Sequence, residues 1–226
     1  MIKEIAFKNI KALVREGTSD EFVVSEVFSG EYNKLNITAD DTVVDFGLNI
    51  GMFTLFALDK GAKKIYSYEA EKSNYELATQ NLALNEIAPE RYNLFNKAVI
   101  GNDDPVRVFW INEKKNKGAH SLIHKKGRKA VQEGVPAINI NKVFEECKPT
   151  VVKMDIEGGE YECLKAVKSF DGIRELILEF HHAHLNDTKT HAKYDEILAL
   201  LRSQFTNVQA RADTKDAWVN IIYCSR

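Results

Sequence analysis

Asp45, Gly47, Gly51 and Glu69 are the residues of this chain whose types and spacing promise the most chemistry. Asp45 lies in the apolar run from Thr42 to Phe46, short and β-branched enough for a buried strand. Gly47 and Gly51 bracket a turn that brings backbone close to a ligand. Behind the turn, Met52, Phe53, Leu55, Phe56 and Leu58 continue a helical pattern to Gly61, which suits the left-handed residue that closes a helix. A helix N-terminus normally invites a phosphate, but a carboxylate beside the same turn repels pyrophosphate and attracts a cation or an amine. The favoured ligand is therefore a nucleoside carrying an amino acid and a sulfonium centre, rather than a dinucleotide. Glu69 follows the next strand, Lys64 to Tyr68, about 20 residues beyond the first glycine, where an acid reaches ribose hydroxyls in doubly wound folds.

A second group lies downstream. Pro149 precedes a strand from Thr150 to Asp155, and Asp45 and Asp155 are expected to end the two strands that flank the reversal of strand order, where open α/β sheets bind ligands. Asp155 is the first candidate for acid–base work. A free Asp titrates near 3.9, so it would need a perturbed environment or metal assistance to deprotonate an alcohol, or else only orient it. Glu157 and Glu160 are expected in the first turn of the following helix, where acids suit the dipole, with Glu160 structural. Glu179, expected to end the strand from Glu175 to Phe180, and His181 are second candidates for handling a proton. With His182 and His184 they also suggest a metal, but the spacing is not that of a helical pair and a strand would point His181 and His182 to opposite sides. No metal site is assigned.

Four motifs carry a resemblance: Asp45-Phe46-Gly47-Leu48-Asn49-Ile50-Gly51, Tyr68-Glu69, Asn81-Leu82-Ala83-Leu84-Asn85, and Lys153-Met154-Asp155-Ile156-Glu157-Gly158-Gly159-Glu160. In this order they resemble the FkbM-type S-adenosylmethionine-dependent methyltransferases, over roughly residues 20 to 180. Leu48 stands where that family usually has a small residue, and Ala70 where proline is common. The resemblance implies a class I methyltransferase fold, Rossmann-like, with a mostly parallel seven-stranded sheet and helices on both faces. It implies S-adenosyl-L-methionine lying across Asp45, Gly47, Asn49 and Gly51, with Glu69 on the ribose, Ala98 beside adenine through its backbone, and Asp155 near the reacting end. It further implies O-methylation of a hydroxyl on a sugar or small secondary metabolite. His120 and Ser121 match the family's small-residue and serine segment, which makes His120 a further candidate at the active site.

The elements that must position these groups read in chain order. Residues 1–40 form a cover segment: a loose alternation through Ile5, Phe7 and Ile10, an edge strand or short arm, then a short helix capped by Thr18 to Glu21 and ending near Gly30. In the resembling family this segment lies over the cofactor cleft, which brings Glu26 and Tyr32 into consideration as ligand contacts. Tyr75, Ala78 and Leu82 share one side of a helix, and Asn81 and Asn85 are expected to make capping or helix-end hydrogen bonds. Tyr92 to Phe95, Val106 to Ile111 and Val135 to Ile140 read as strands, the second antiparallel. Lys193 to Leu201 is an amphipathic helix, and Phe205 to Arg211 with Trp218 to Cys224 form a closing hairpin. Residues 113–134 are a long basic loop. Lys114, Lys115, Lys117, Lys125, Lys126, Arg128 and Lys129 suit a lid for an anionic acceptor as well as a solvated insertion.

With 226 residues, a single methyltransferase domain (1–226, core 41–226) is expected. The balance of 31 basic and 33 acidic residues, net −2, provides no global field for nucleic acid or an anionic membrane, and the basic run lacks aromatics that would stack bases. Three widely spaced cysteines argue against a disulfide framework and for a reducing compartment. Without an apolar run of signal-peptide or spanning length, a cytoplasmic protein is expected. Two rivals remain: a non-catalytic nucleoside-binding module, and an NAD-dependent dehydrogenase, which would want a third glycine where Met52 and Phe53 stand.

Overall fold

The computed structural model describes residues 1–112, 130–182, 188–213 and 219–226. Strands β1 (Ile2–Phe7) and β2 (Ile10–Arg15) open the chain, followed by helix α1 (Asp20–Phe28) and a 3-10 turn at Glu31–Lys34. The core begins with β3 (Thr42–Phe46), α2 (Met52–Asp59), β4 (Lys64–Tyr68), α3 (Lys72–Leu84) and β5 (Tyr92–Phe95). Next come β6 (Ala98–Ile100), β7 (Val106–Asn112), β8 (Ala130–Asn139), α4 (Ile140–Cys147), β9 (Val151–Met154) and α5 (Glu160–Ala166). The chain closes with β10 (Glu175–His181), α6 (Thr188–Gln204), β11 (Asn207–Ala212) and β12 (Val219–Ser225).

Seven strands pair in the order β11-β12-β10-β9-β3-β4-β5. Pairs β10–β9, β9–β3, β3–β4 and β4–β5 are parallel, and β12 runs antiparallel between β10 and β11. The strand sequences dictate this placement. Val43-Val44 and Val151-Val152 are apolar on both sides, as strands covered on both faces require. Val43, Ile65, Val151, Ile177 and Ile221 turn to one face and pack with α1, α2 and the β1–β2 hairpin. Val44, Val152, Met154, Leu176 and Leu178 turn to the other and pack with α4, α5 and α6. The mostly parallel seven-stranded sheet with helices on both faces is therefore present, and the order reverses between β3 and β9, the strands that carry Asp45 and lead to Asp155, as expected.

Three local expectations differ. The first residues form a two-stranded hairpin apart from the main sheet. Asn81 and Asn85 do not simply cap their helix but hold that hairpin. Asn81 Oδ1 accepts from the Leu13 amide at 2.6 Å and its Nδ2 donates to Ile50 O at 2.9 Å, while Asn85 exchanges hydrogen bonds with the Lys11 backbone. Residues 130–134, expected in the basic loop, begin β8, which pairs with both β7 and β6; residues 113–129 lie outside the described residues. A strand this long was not visible locally because its partners are contributed from elsewhere in the chain.

Candidate functional site

The turn after β3 is built on close approach. Gly47 has φ 89°, its amide donates to Tyr68 O at 3.0 Å, and a Cβ on it would lie 1.7 Å from the Asp155 carbonyl oxygen. Glycine is thus required by the neighbouring β9 backbone. Asn49 is also left-handed, at φ 51°, and its amide donates to Glu69 Oε2 at 2.7 Å. Gly51, φ 90°, starts α2, and a Cβ there would press on Leu82 and Ala78 of α3. Glu69 Oε1 accepts from the Glu71 amide at 2.9 Å. Burial pushes the Glu69 carboxyl up to about 7, against the opposing effect of the two amides.

Asp45 is fully buried rather than open to the cleft. Its Oδ2 accepts from Thr54 at 3.0 Å, and Thr54 in turn bonds Ser67 at 2.8 Å. Its Oδ1 faces the Lys153 ammonium at 3.2 Å as an ion pair, without an aligned hydrogen bond. Register Asp45↔Lys153 between β3 and β9 sets this pairing. Lys153 Nζ also donates to Gly47 O at 2.6 Å and lies 3.9 Å from Asp155 Oδ2. Burial would lower the Lys153 pKa, but Asp45 and Asp155 outweigh it and hold the group charged.

A cleft of ≈ 180 Å³ opens over the carboxyl ends of β3, β9 and β10. Gly47, Leu48 and Asn49 form one wall, Glu26 and Tyr32 of the cover segment another, and Asp155, Glu157 and Glu179 its acidic floor. Strand alternation puts Glu179 and His181 on the face that also carries Lys153. Burial, reinforced by the charge of Asp155, raises the Glu179 carboxyl well above the ordinary range. Glu157 is not in a helix turn: it sits at φ 56° ahead of α5, which begins only at Glu160. Glu160 is buried, and its Oε1 accepts from the Ile156 amide (3.1 Å), the Gly158 amide (3.0 Å) and His181 Nδ1 (3.2 Å). Burial alone would raise the Glu160 carboxyl and lower the His181 imidazole; His181 and the amides hold Glu160 below its ordinary range, and Glu157, with Glu160 and Asp155, raises His181 well above its own.

His181 and His182 part company, as strand geometry requires. His182 Nε2 donates to Asn220 Oδ1 at 2.5 Å and its ring packs on Phe180 and Tyr194, away from the cleft. His184 falls outside the described residues. The donor group with metal-ligand geometry is instead Asp155, Glu157 and His181, one ligand atom from each lying within 4.8 Å of the others.

Of the residues singled out from sequence, the structure brings together Gly47, Asn49, Asp155, Glu179 and His181, with Glu69 bonded to the back of the turn. Ala98 lies apart from the described cleft lining, buried with Ile100 and Val135. His120 and Ser121 lie outside the described residues. Sequence reasoning missed Lys153 as a member of the site. Its signal was a lone charge inside Val151-Val152-Lys153-Met154, since a lysine in a strand covered on both faces must find a carboxylate.

A mostly parallel sheet in the order β11-β12-β10-β9-β3-β4-β5 with β12 antiparallel, a glycine turn after β3 and acids after β4 and β9, is the class I methyltransferase architecture. The chain belongs to the FkbM methyltransferase family: the family profile, described as the methyltransferase FkbM domain, matches residues 45–206. The methyltransferase sdnD of Sordaria araneosa is 26% identical over 191 residues, 70% of this chain and 74% of that protein. The hexuronic acid methyltransferase AglP of Haloferax volcanii is 25% identical over 147 residues, 63% of this chain and 56% of that protein. A SAM-dependent methyltransferase from Agrobacterium tumefaciens shares the fold, with TM-score 0.53 at 10% identity, covering 99% of this chain and 70% of that one. The chain is thus an S-adenosylmethionine-dependent methyltransferase, and its donor set fits the cofactor: an acidic floor suits a sulfonium and an amine, and each Glu69 oxygen keeps lone-pair capacity beyond its one amide. No described helix is long and apolar enough to cross a membrane.

Proposed function

We propose that this chain O-methylates a hydroxyl of a sugar or small secondary metabolite, using the cleft floored by Asp155 and Glu179. The observation that carries the reading is the convergence of those two carboxylates with the Gly47–Asn49 wall at the carboxyl ends of adjacent strands. When bound, S-adenosylmethionine supplies a methyl group already activated by its sulfonium. The protein's own task is then to hold an acceptor in line and manage its proton. Glu69 receives the ribose hydroxyls, and the Gly47 to Gly51 turn lies along the cofactor. Asp155 accepts a hydrogen bond from the acceptor hydroxyl and orients it, and Glu179 beside it receives the proton. Lys153 fixes Asp155 and the turn relative to each other.

A sugar acceptor is supported by the hexuronic acid methyltransferase among the relatives, and a reducing, cytoplasmic setting by three buried free cysteines. The test is methyl transfer from S-adenosylmethionine to a panel of hydroxylated sugars and metabolites, by wild type and by Asp155→Asn. Turnover lost by at least about a hundredfold in the variant, with S-adenosylhomocysteine affinity kept, is the expected outcome. A variant as active as wild type would remove Asp155 from this role, and a wild type that binds the nucleoside but methylates nothing would favour the non-catalytic module.

A further inference from the structure

His181 is held like a metal ligand. Its Nδ1 donates to Glu160 Oε1 at 3.2 Å, and Glu160 is itself anchored by the Ile156 and Gly158 amides. That donation leaves Nε2, whose proton a bound cation would displace, pointing the other way. Nε2 has no hydrogen-bond partner among the described residues, although the side chain is only 7% exposed. It is aimed between two carboxylates, 3.6 Å from Glu157 Oε2 and 3.9 Å from Asp155 Oδ1. An imidazole with one nitrogen tied to a buried carboxylate and the other aimed at two further carboxylates is the arrangement that orients metal-bound histidines.

We propose that Asp155, Glu157 and His181 bind one divalent cation of the Mn²⁺ or Mg²⁺ kind at the acceptor end of the cleft, with Glu160 as the residue that positions His181. Neighbouring ligands on such an ion stand roughly 3 Å apart at bond lengths near 2.1 Å, so His181 Nε2, 3.6 and 3.9 Å from the two carboxylates, closes on them by less than about 1 Å. Two carboxylates and one imidazole suit Mn²⁺ well, and three protein ligands leave positions for water and acceptor oxygens. The charge pattern points the same way. Glu26, Asp155, Glu157 and Glu179 all line the cleft, whereas Lys153 among the described lining residues is already paired with Asp45. A carboxylated acceptor would meet repulsion there. A cation turns that repulsion into chelation, taking the reacting hydroxyl and a neighbouring oxygen as ligands. This use of the ion rests on the methyl-transfer reading; its binding does not.

The test is titration of the purified full chain with MnCl₂, followed by electron paramagnetic resonance of free and bound Mn²⁺, with S-adenosylhomocysteine affinity measured on the same samples. One Mn²⁺ per chain is expected. His181→Ala and Glu157→Gln should each weaken it by more than about tenfold, and Glu160→Gln, outside the cleft lining, by about 10–100-fold with nucleoside affinity unchanged. His181→Asn replaces the alanine variant should that one fail to fold. No Mn²⁺ uptake by wild type, or uptake that the His181 and Glu157 variants leave intact, overturns the proposal and leaves His181 as an imidazolium paired with acids. Failure of the methyl-transfer reading would show separately, as absent nucleoside binding or turnover.

Discussion

The Lys153 ammonium lies 3.2 Å from Asp45 Oδ1 inside the sheet's cleft-bearing face, and the same group bonds the carbonyl of Gly47. One buried cation therefore ties the central strand, the cofactor turn and the end of β9 together. Lys153→Met leaves Asp45 buried without its counter-charge, which costs about 3–5 kcal/mol when one partner of a buried pair is removed. The loss should be largest at neutral and higher pH and shrink in acid, because protonating the stranded Asp45 removes the penalty. Denaturant unfolding across pH measures this, and Lys153→Met combined with Asp45→Asn should recover part of it. A single variant as stable as wild type would show that the pair holds nothing together.

Gly47 and Gly61 make a matched comparison. Both have positive φ, 89° and 103°, but a Cβ at Gly47 meets Asp155 O at 1.7 Å and one at Gly61 meets nothing within 4 Å. Gly61→Ala should lose only the backbone strain, about 1–3 kcal/mol. Gly47→Ala adds a clash between β9 and the turn, so its loss should exceed about 4 kcal/mol and abolish nucleoside binding. Equal thermal shifts in the two variants would contradict the close approach.

Glu69 should make cofactor binding proton-linked. Its carboxyl stands at about 7 in the free protein, and ribose hydroxyls donating to the ionised form would lower it. S-adenosylhomocysteine binding near pH 7 therefore releases a proton, and affinity rises with pH through about 7 before levelling off. Stability of the free protein has the opposite sign. An acid raised from its ordinary 4.5 is penalised when ionised, so stability falls as pH rises between those two values. Calorimetry in buffers of different ionisation heat reads the proton directly. Glu69→Gln should release none, and equal release by wild type and variant would assign the proton to another group.

The sequence by itself determined the elements that rest on local pattern. The run from Thr42 to Phe46, the glycine turn and the apolar stripe behind it could only be a buried strand entering a helix. Glu69 follows a short strand placed by its spacing from the glycine turn, and Asp155 a strand whose paired valines demanded cover on both faces. Tertiary structure decided what depends on groups far apart in the chain. Lys153 joins the site only because register pairs it with Asp45 across two strands, and Glu157 leaves its helix for the left-handed region. Asn81 and Asn85 bind a hairpin some 70 residues upstream, at separations of 68 and 74. His181 meets Glu160 because β10 lies beside β9 and the chain turns into α5 just past it. Periodicity reports which face a side chain takes, since that follows from the backbone's own repeat, whereas the partner it meets there is set by strand order and register, which no local window contains.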